Sequence, residues 1–289
     1  MNTTEILQQL SSRLTIADLA TCMPGLVILP VWLRKTAMGT RALANSPPRR
    51  NNMPAFMPIV PLLIWLGLVT VAVLAKELLW PTLEGWRSAY LENLSLCLGA
   101  AVAMLVIVHL VKTYFARGLR GFGLRADNIG RHLVTAVLNL VSIYPVLVAA
   151  LLLTVLAGKL LVGPDFEIHR HQQLDLISKY PQWQLRIMVV ITTIVVMPVF
   201  EEMLFRGLFQ STIRSFLAHL GNSRSAWLAI SITSLLFALV HPNAAHRPAL
   251  FALAVCLGYA YEKSGSLMRP IFIHSLFNAA SVITLLAST

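Results

Sequence analysis

Two adjacent carboxylates, Glu201 and Glu202, follow a long run of Ile, Val and Met residues in the stretch VMPVFEEMLFRG. Ionisable groups inside apolar segments cost free energy and tend to be functional. Neighbouring positions of a helix point about 100° apart, so the two carboxylates face different directions. Arg206 lies four residues after Glu202, on the same face, so these two side chains can pair. Glu201 faces elsewhere and is left for a different role.

Two further sets of polar side chains lie in later apolar segments. Phe237 and His241 are four residues apart and share a helix face, and Pro242 marks a kink or an end of that helix. His274 and Asn278 are again four residues apart on one face. Together with the carboxylates, these sets supply a base, a group that orients it and donors for an oxyanion. Amide hydrolysis needs those parts.

Each set also has a structural interpretation when it is taken alone. A single Glu–Arg pair is commonly an ion pair that fixes helix packing. A single histidine inside a membrane is commonly an interhelical hydrogen-bonding residue, and His274 with Asn278 could join helices in the same way. The occurrence of all three sets on successive helices favours an enzyme.

A metal centre is the alternative form of that enzyme. Glu201, His241 and His274 could be zinc ligands around an open coordination position. The chain has no HExxH helix, however, and these ligands would come from separate helices. A hydrolase without a cofactor is therefore favoured, and zinc stays open as the alternative.

The composition indicates whether these residues lie in water or in a membrane. Hydrophobic residues make up 57% of the chain and charged residues 12%, with a mean hydropathy of +0.72. Soluble domains carry about twice that charged fraction. A membrane-spanning helix needs about 20 apolar residues. The chain is thus predicted to be an all-α, polytopic transmembrane bundle of about eight helices, at residues 16–33, 55–74, 93–111, 132–162, 185–216, 226–241, 248–261 and 270–286.

The net charge of +11 is concentrated in two loops, at residues 34–52 and 112–131. Cytoplasmic loops of membrane proteins retain Lys and Arg, so both loops are expected in the cytoplasm. Basic residues do not alternate with aromatic ones, so a nucleic-acid partner is not expected. Alternation of the spans then places the turn at residues 262–269 on the same side. In the polar segment 163–184, His169 and His171 are expected to be solvated rather than to bind a metal.

The depth of the polar groups restricts the helix that carries the carboxylates. His241 is expected about 20 Å along a helix that enters from the cytoplasm, at about 1.5 Å per residue. Glu201 meets it only if its own helix continues through Phe216. Such a helix is too long to cross a bilayer straight, and Pro198 is the expected place of a bend.

The order of the three motifs resembles the CPBP family, which includes type II CAAX prenyl endopeptidases and the bacteriocin-processing or immunity-type proteases of the Abi group. The motifs are Glu201-Glu202-x-x-x-Arg206, Phe237-x-x-x-His241 and His274-x-x-x-Asn278. One motif alone is weak, whereas three in order on apolar segments are specific. The resemblance divides the chain into N-terminal membrane helices at residues 1–184 and a catalytic helical core at residues 185–289.

The resemblance implies an intramembrane endopeptidase that hydrolyses a peptide bond in a membrane-associated or lipidated protein. Glu201 would be the base that activates water, with His241 holding that water or sharing the role. His274 and Asn278 would stabilise the oxyanion. The remaining residues would support the site: Glu202 and Arg206 by positioning and tuning it, Phe237 by packing against the catalytic histidine.

Two other functions stay open at this point. A membrane scaffold could keep the fold without turnover, although such a protein usually loses one of the catalytic residues. A proton-coupled transporter could use Glu201 and His241 as a relay. The chain has no internal repeat of the kind that many transporters show. The expected location is a membrane, the inner membrane if the source is bacterial. The expected partners are the lipid bilayer and a membrane-associated protein substrate, whose identity the motifs leave undefined.

Overall fold

The computed structural model describes residues 16–35, 43–46, 48–125, 127–168 and 172–288, with the backbone alone at 16–19, 32–35 and 288. His169 and His171 lie outside the described residues. Within those ranges every regular element is a helix. The ten helices are α1 Ile16–Lys35, α2 Ile59–Leu79, α3 Gly85–Tyr114, α4 Gly118–Phe122, α5 Ile129–Leu161, α6 Gln172–Lys179, α7 Trp183–Phe216, α8 Asn222–Val240, α9 Arg247–Ser264 and α10 Met268–Ser288.

Six of these helices are long and apolar enough to cross a membrane, namely α2, α3, α5, α7, α8 and α10. The two other predicted spans are helices as well, α1 and α9. Many large apolar side chains are exposed on α2, among them Leu63, Val71 and Leu78. Such a surface is stable only against lipid. The prediction of an all-α helical bundle is confirmed, and the chain is an integral multi-pass membrane protein.

The central helix α7 continues from Trp183 to Phe216, as the depth of Glu201 required. At about 1.5 Å per residue it exceeds the thickness of a bilayer core, which is about 30 Å. Two π-helical segments, Thr192–Val196 and Met203–Gln210, interrupt its α-helical geometry. Pro198 lies between them, where its missing N–H removes one rung of the hydrogen-bond ladder. Segments of π-helix are common at functional sites.

Four helices surround α7, namely α3, α8, α9 and α10, while α1 packs outside α5 and α2 outside α3. The α3 face towards α7 has small side chains, including Ala100 and Ala103, which allow close approach of the two helices. Phe200 on α7 and Phe237 on α8 belong to the same buried cluster. The N-terminal helix α3 therefore forms one wall of the core that holds α7.

A ladder of polar contacts joins the later part of α7 to α9. Each rung reaches one turn further along both helices: Arg206 Nη2 donates to the Ala254 carbonyl (3.2 Å), Gln210 Nε2 to the Gly258 carbonyl (3.1 Å), and Arg214 Nη1 to Glu262 Oε2. The ladder fixes the register of α7, and hence the depth of its carboxylates, against α9.

The last rung corrects two expectations about charged residues. Glu262 was expected in a cytoplasmic turn, but it lies in the last turn of α9 and is only 1% exposed. Arg49 was counted with the charges of an exposed loop, but it is buried and lies 3.4 Å from Glu262. Its guanidinium also stacks 3.8 Å above the Tyr261 ring. A buried carboxylate needs partners, and Arg49 and Arg214 provide them from two different parts of the chain.

Candidate active site

The first part of the candidate site is an ion pair within α7. Glu202 is 0% exposed and Arg206 is 1% exposed. Arg206 Nη1 donates to Glu202 Oε1 at 2.9 Å, which is the pairing that the four-residue spacing predicted. The guanidinium also lies 4.6 Å above the centre of the Phe237 ring. The arginine charge is therefore compensated on one side by a carboxylate and on another by an aromatic face.

His274 brings α10 into the site. Its Nδ1 lies 2.9 Å from the same Glu202 oxygen that Arg206 contacts. An ionised carboxylate only accepts hydrogen bonds, so we assign the proton of this bond to Nδ1. The other ring nitrogen, Nε2, lies 3.8 Å from Glu201 Oε2. His274 thus connects the two carboxylates, being bonded to one of them and facing the other.

The two carboxylates have different surroundings, as their positions on the helix predicted. The side chain of Glu201 is 16% exposed, whereas that of Glu202 is fully enclosed. The 3.8 Å gap between Glu201 and His274 is longer than a direct hydrogen bond. A third polar group, such as a water molecule or a substrate carbonyl, can contact both atoms across such a gap. Glu201 is therefore the carboxylate that small molecules can reach.

Phe237 lies between the two histidines. The centre of its ring is 4.6 Å from that of His241 and 5.8 Å from that of His274. His241 ends α8 with an extended backbone (φ −78°, ψ 130°), as expected for a residue that precedes a proline. Its Nδ1 lies 2.6 Å from the Phe237 carbonyl. A carbonyl only accepts, so Nδ1 carries the proton and Nε2 is left for chemistry.

The hydrogen bond of Asn278 is with α7 and not with His274. Its Nδ2 donates to the Thr193 carbonyl at 2.8 Å, within the first π-helical segment. The described hydrogen bonds include none between Glu201 and His241. The structure thus brings Glu201, Glu202, Arg206 and His274 together. It places Phe237 and His241 beside them and holds Asn278 on the neighbouring turn.

The central group contains two carboxylates, one guanidinium and one imidazole. The imidazole of His274 contacts Glu202 through Nδ1 and faces the more exposed carboxylate, Glu201, through Nε2.

The candidate metal ligands do not form a set. Among the described residues, no three His, Cys, Asp or Glu side chains are grouped as a metal ion requires. Glu201 and His274 face each other, and the ring of His241 contacts that of Phe237.

Sequence reasoning missed three residues that support the site. Gln210 and Arg214 continue the four-residue series that begins with Glu202 and Arg206, and this spacing could have revealed them. Thr193, which accepts the bond from Asn278 through its backbone, has no such signal because a π-helical segment is not visible in the sequence.

These helices and contacts define an integral membrane protein with a buried carboxylate–histidine centre. Residues 182–280 match the model of the Rce1-like family, described as type II CAAX prenyl endopeptidase Rce1-like. The match begins where α7 begins, contains every residue of the candidate site and covers about a third of the chain. It confirms the resemblance to CAAX-type proteases and supports a membrane-embedded peptidase that acts on a protein substrate. Comparisons with curated proteins and with solved structures gave no significant match.

Proposed function

We propose that the protein is an intramembrane endopeptidase that cleaves a peptide bond in a membrane-associated or lipidated protein. The observation that carries the proposal is the position of His274, bonded through Nδ1 to Glu202 at 2.9 Å and facing Glu201 through Nε2 at 3.8 Å. A histidine oriented by one buried carboxylate and adjacent to a second, accessible one is an arrangement suited to acid–base chemistry.

In the proposed reaction, Glu201 accepts a proton from a water molecule as the water oxygen bonds to the scissile carbonyl carbon. The π electrons of the carbonyl move to its oxygen, and the Nε2–H of His274 stabilises the resulting oxyanion. Both oxygens are now bonded to one carbon, so their protein partners must be close together. The 3.8 Å separation of Oε2 and Nε2 suits that requirement.

The tetrahedral intermediate then collapses. The carbon–nitrogen bond breaks, the carbonyl re-forms, and Glu201 returns its proton to the departing amine. His241 uses Nδ1 on the Phe237 carbonyl, and its Nε2 is proposed to hold the water or the substrate. Asn278 uses one N–H on Thr193, and its second N–H is proposed as another oxyanion donor.

The supporting residues are proposed to act through His274. Glu202 fixes its orientation, and Arg206 holds Glu202 in place through their ion pair. Phe237 packs against the rings of both histidines. Residues 185–289 are proposed as the catalytic core, and residues 1–184 as the helices that support it.

The proposal is tested with purified protein in liposomes, with candidate membrane peptides encoded near its gene as substrates. Wild type is compared with Glu201→Gln, His274→Gln and His241→Gln. Glu77→Gln is the matched control, because Glu77 is exposed and distant from the site. Cleavage by wild type and the control, with loss in the Glu201 and His274 variants, supports the assignment. Equal cleavage by all five proteins would show that the site is structural.

Two further measurements separate the alternatives. Addition of a chelator leaves the proposed reaction unchanged. Loss of cleavage with chelator and its recovery with zinc would assign Glu201 and the histidines to metal binding instead. Binding of a candidate peptide without cleavage, unaffected by Glu201→Gln, would favour a scaffold. Proton flux across the liposome membrane that disappears in the same variant would favour a transporter.

A further inference from the structure

A group of cations stands apart from the candidate active site, where α5 and α10 begin. Arg131 and His132 lie in the first turn of α5, and Arg269 is the second residue of α10. Both arginines lie within electrostatic range of His132. The end of α3 lies at this end of the bundle as well, where the Asn52 N–H bonds to the Tyr114 carbonyl. We call Arg131, His132 and Arg269 the cationic pocket.

Among the described residues, the carboxylate within electrostatic range of His132 is that of Asp127. The nearby carboxylate Asp127 is paired with Arg125 at 3.3 Å. Arg269 has no ion pair within the described part of the chain, and its Nε is buried without a hydrogen-bond partner. The sequence at residues 34–52 contains no Asp or Glu. Arg131 and Arg269 lie within electrostatic range of each other, so their like charges repel.

His132 is a second, independent indication of a ligand. It is only 6% exposed, and its Nδ1 is buried without a hydrogen-bond partner in the described structure. The rule that places basic residues in cytoplasmic loops does not account for this, because it concerns solvated charges. A buried imidazole nitrogen and a buried guanidinium nitrogen, both lacking partners, indicate that an acceptor of hydrogen bonds completes the pocket.

Backbone N–H groups at this end of the bundle also favour the binding of an anion. The N-terminus of α5 has no side-chain cap, so its first N–H groups are unpaired by side chains. The N-terminus of α10 lies at the same end, although Ser266 caps its first N–H. Helix N-termini carry partial positive charge and favour anions, above all phosphate.

The surface next to the pocket indicates the source of the anion. Below Arg131, α5 exposes apolar side chains along its next turns, at Leu133, Val134, Val137 and Leu138. α5 has 33 residues, which makes it longer than a bilayer core, so its first turns reach the headgroup layer. An anion at the pocket would therefore lie where lipid phosphates lie, with acyl chains against the apolar face.

We propose that the cationic pocket binds the phosphate of an anionic phospholipid headgroup. Arg131 and Arg269 supply the charge, the unpaired nitrogens of His132 and Arg269 supply hydrogen-bond donors, and the exposed side of α5 contacts the acyl chains. The site is separate from the proposed peptidase chemistry, and its occupancy does not require turnover.

The test is retention of lipid by purified protein, measured by native mass spectrometry after exchange into detergent with phosphatidylglycerol or phosphatidylcholine. Wild type is expected to retain phosphatidylglycerol in preference to phosphatidylcholine. Loss of one hydrogen bond to a charged group weakens binding about tenfold. The pair Arg131→Gln with Arg269→Gln is thus expected to bind phosphatidylglycerol about 100-fold less strongly. The matched pair Arg117→Gln with Arg224→Gln, two exposed arginines at the same end, keeps most of the retention.

Other results would overturn the proposal. Equal loss in the two double variants would show a diffuse charge effect without a site. Stabilisation by inorganic phosphate as large as that by phosphatidylglycerol would assign the pocket to a free anion. Displacement of the lipid by a peptide with a free C-terminal carboxylate, but not by the same peptide with an amidated C-terminus, would assign the pocket to a protein partner. The preference of wild type for phosphatidylglycerol is measured without any variant. Equal retention of both lipids by wild type would therefore overturn the proposal even if the double variant failed to fold.

Discussion

Glu202 and His274 are 72 residues apart in the chain, and Glu202 Oε1 lies 2.9 Å from His274 Nδ1. The same oxygen accepts a hydrogen bond from Arg206 at 2.9 Å. One buried oxygen therefore holds both the guanidinium of α7 and the imidazole of α10. Any change at Glu202 is expected to affect the stability of α7 and the orientation of the histidine together.

Glu202→Gln is expected to be the most disruptive single change in the site. It leaves the charge of Arg206 buried without a carboxylate, and breaking a buried pair in this way costs about 3–5 kcal/mol in the free energy of unfolding. Thermal unfolding in detergent measures the loss. The double variant Glu202→Gln with Arg206→Met removes both charges, and it is expected to regain stability but not cleavage. A double variant as unstable as the single one would contradict the pairing.

His274→Gln is expected to lower kcat by about 10²–10⁴-fold, the usual contribution of a positioned acid or base. The glutamine amide can still donate to Glu202, so the melting temperature should fall less than in Glu202→Gln. His241→Gln is expected to affect KM more than kcat, because His241 is placed to hold the water or substrate beside Phe237. Steady-state kinetics in liposomes separate the two effects. The opposite pattern would exchange the roles of the two histidines.

Glu262→Gln tests whether the buried contact at the end of α9 anchors α7. Glu262 is enclosed and contacts both Arg49 and Arg214, so the variant leaves two buried cations without this carboxylate. We expect a loss of about 3–5 kcal/mol in the free energy of unfolding. Glu77→Gln is the control, since that side chain is largely exposed in its pair with Lys76 and exposed pairs contribute little. Equal melting temperatures for the two variants would refute the anchoring role.

Local spacing explains which parts of the site were predictable. The Glu202–Arg206 pair follows from helix geometry alone, and the end of α8 at His241 follows from the proline after it. The contact of Nδ1 of His274 with Glu202 depends on how α10 docks on α7, which no local pattern encodes. Glu262 was misplaced for a related reason. Its sequence neighbours, Lys263 and Ser264, are polar, and its partners come from distant parts of the chain.

The helices themselves were predictable because apolar run length is a strong signal in a membrane. Each of the eight predicted spans coincides with a helix, although their ends differ by several residues. The two π-helical segments of α7 were not predictable. They arise where Pro198 and tight packing change the hydrogen-bond ladder, and a composition of Ile, Val and Met suits an α-helix equally well.

Gly207 tests how closely the N-terminal half must fit against α7. It follows Arg206 on α7, and a Cβ at this position would overlap the ring of Phe122, the last residue of α4. Phe122 cannot move aside easily, because it is fully buried and packs edge-on against Phe115 with ring centres 5.3 Å apart. Gly207→Ala is therefore expected to destabilise the protein by about 1–3 kcal/mol, the usual cost of overpacking.

The contact between Gly207 and Phe122 can be tested with a compensating variant and with a control. Phe122→Leu makes room at the ring position, so the double variant with Gly207→Ala is expected to be more stable than the sum of the two single effects. Gly67→Ala on α2 should cost nothing, because a Cβ there meets no atom within 4 Å. Thermal unfolding of wild type, the two single variants and the double variant measures the coupling between Gly207 and Phe122. Strict additivity would mean that α4 and α7 relax independently, and that the N-terminal half does not hold the helix on which Glu201 and Glu202 lie.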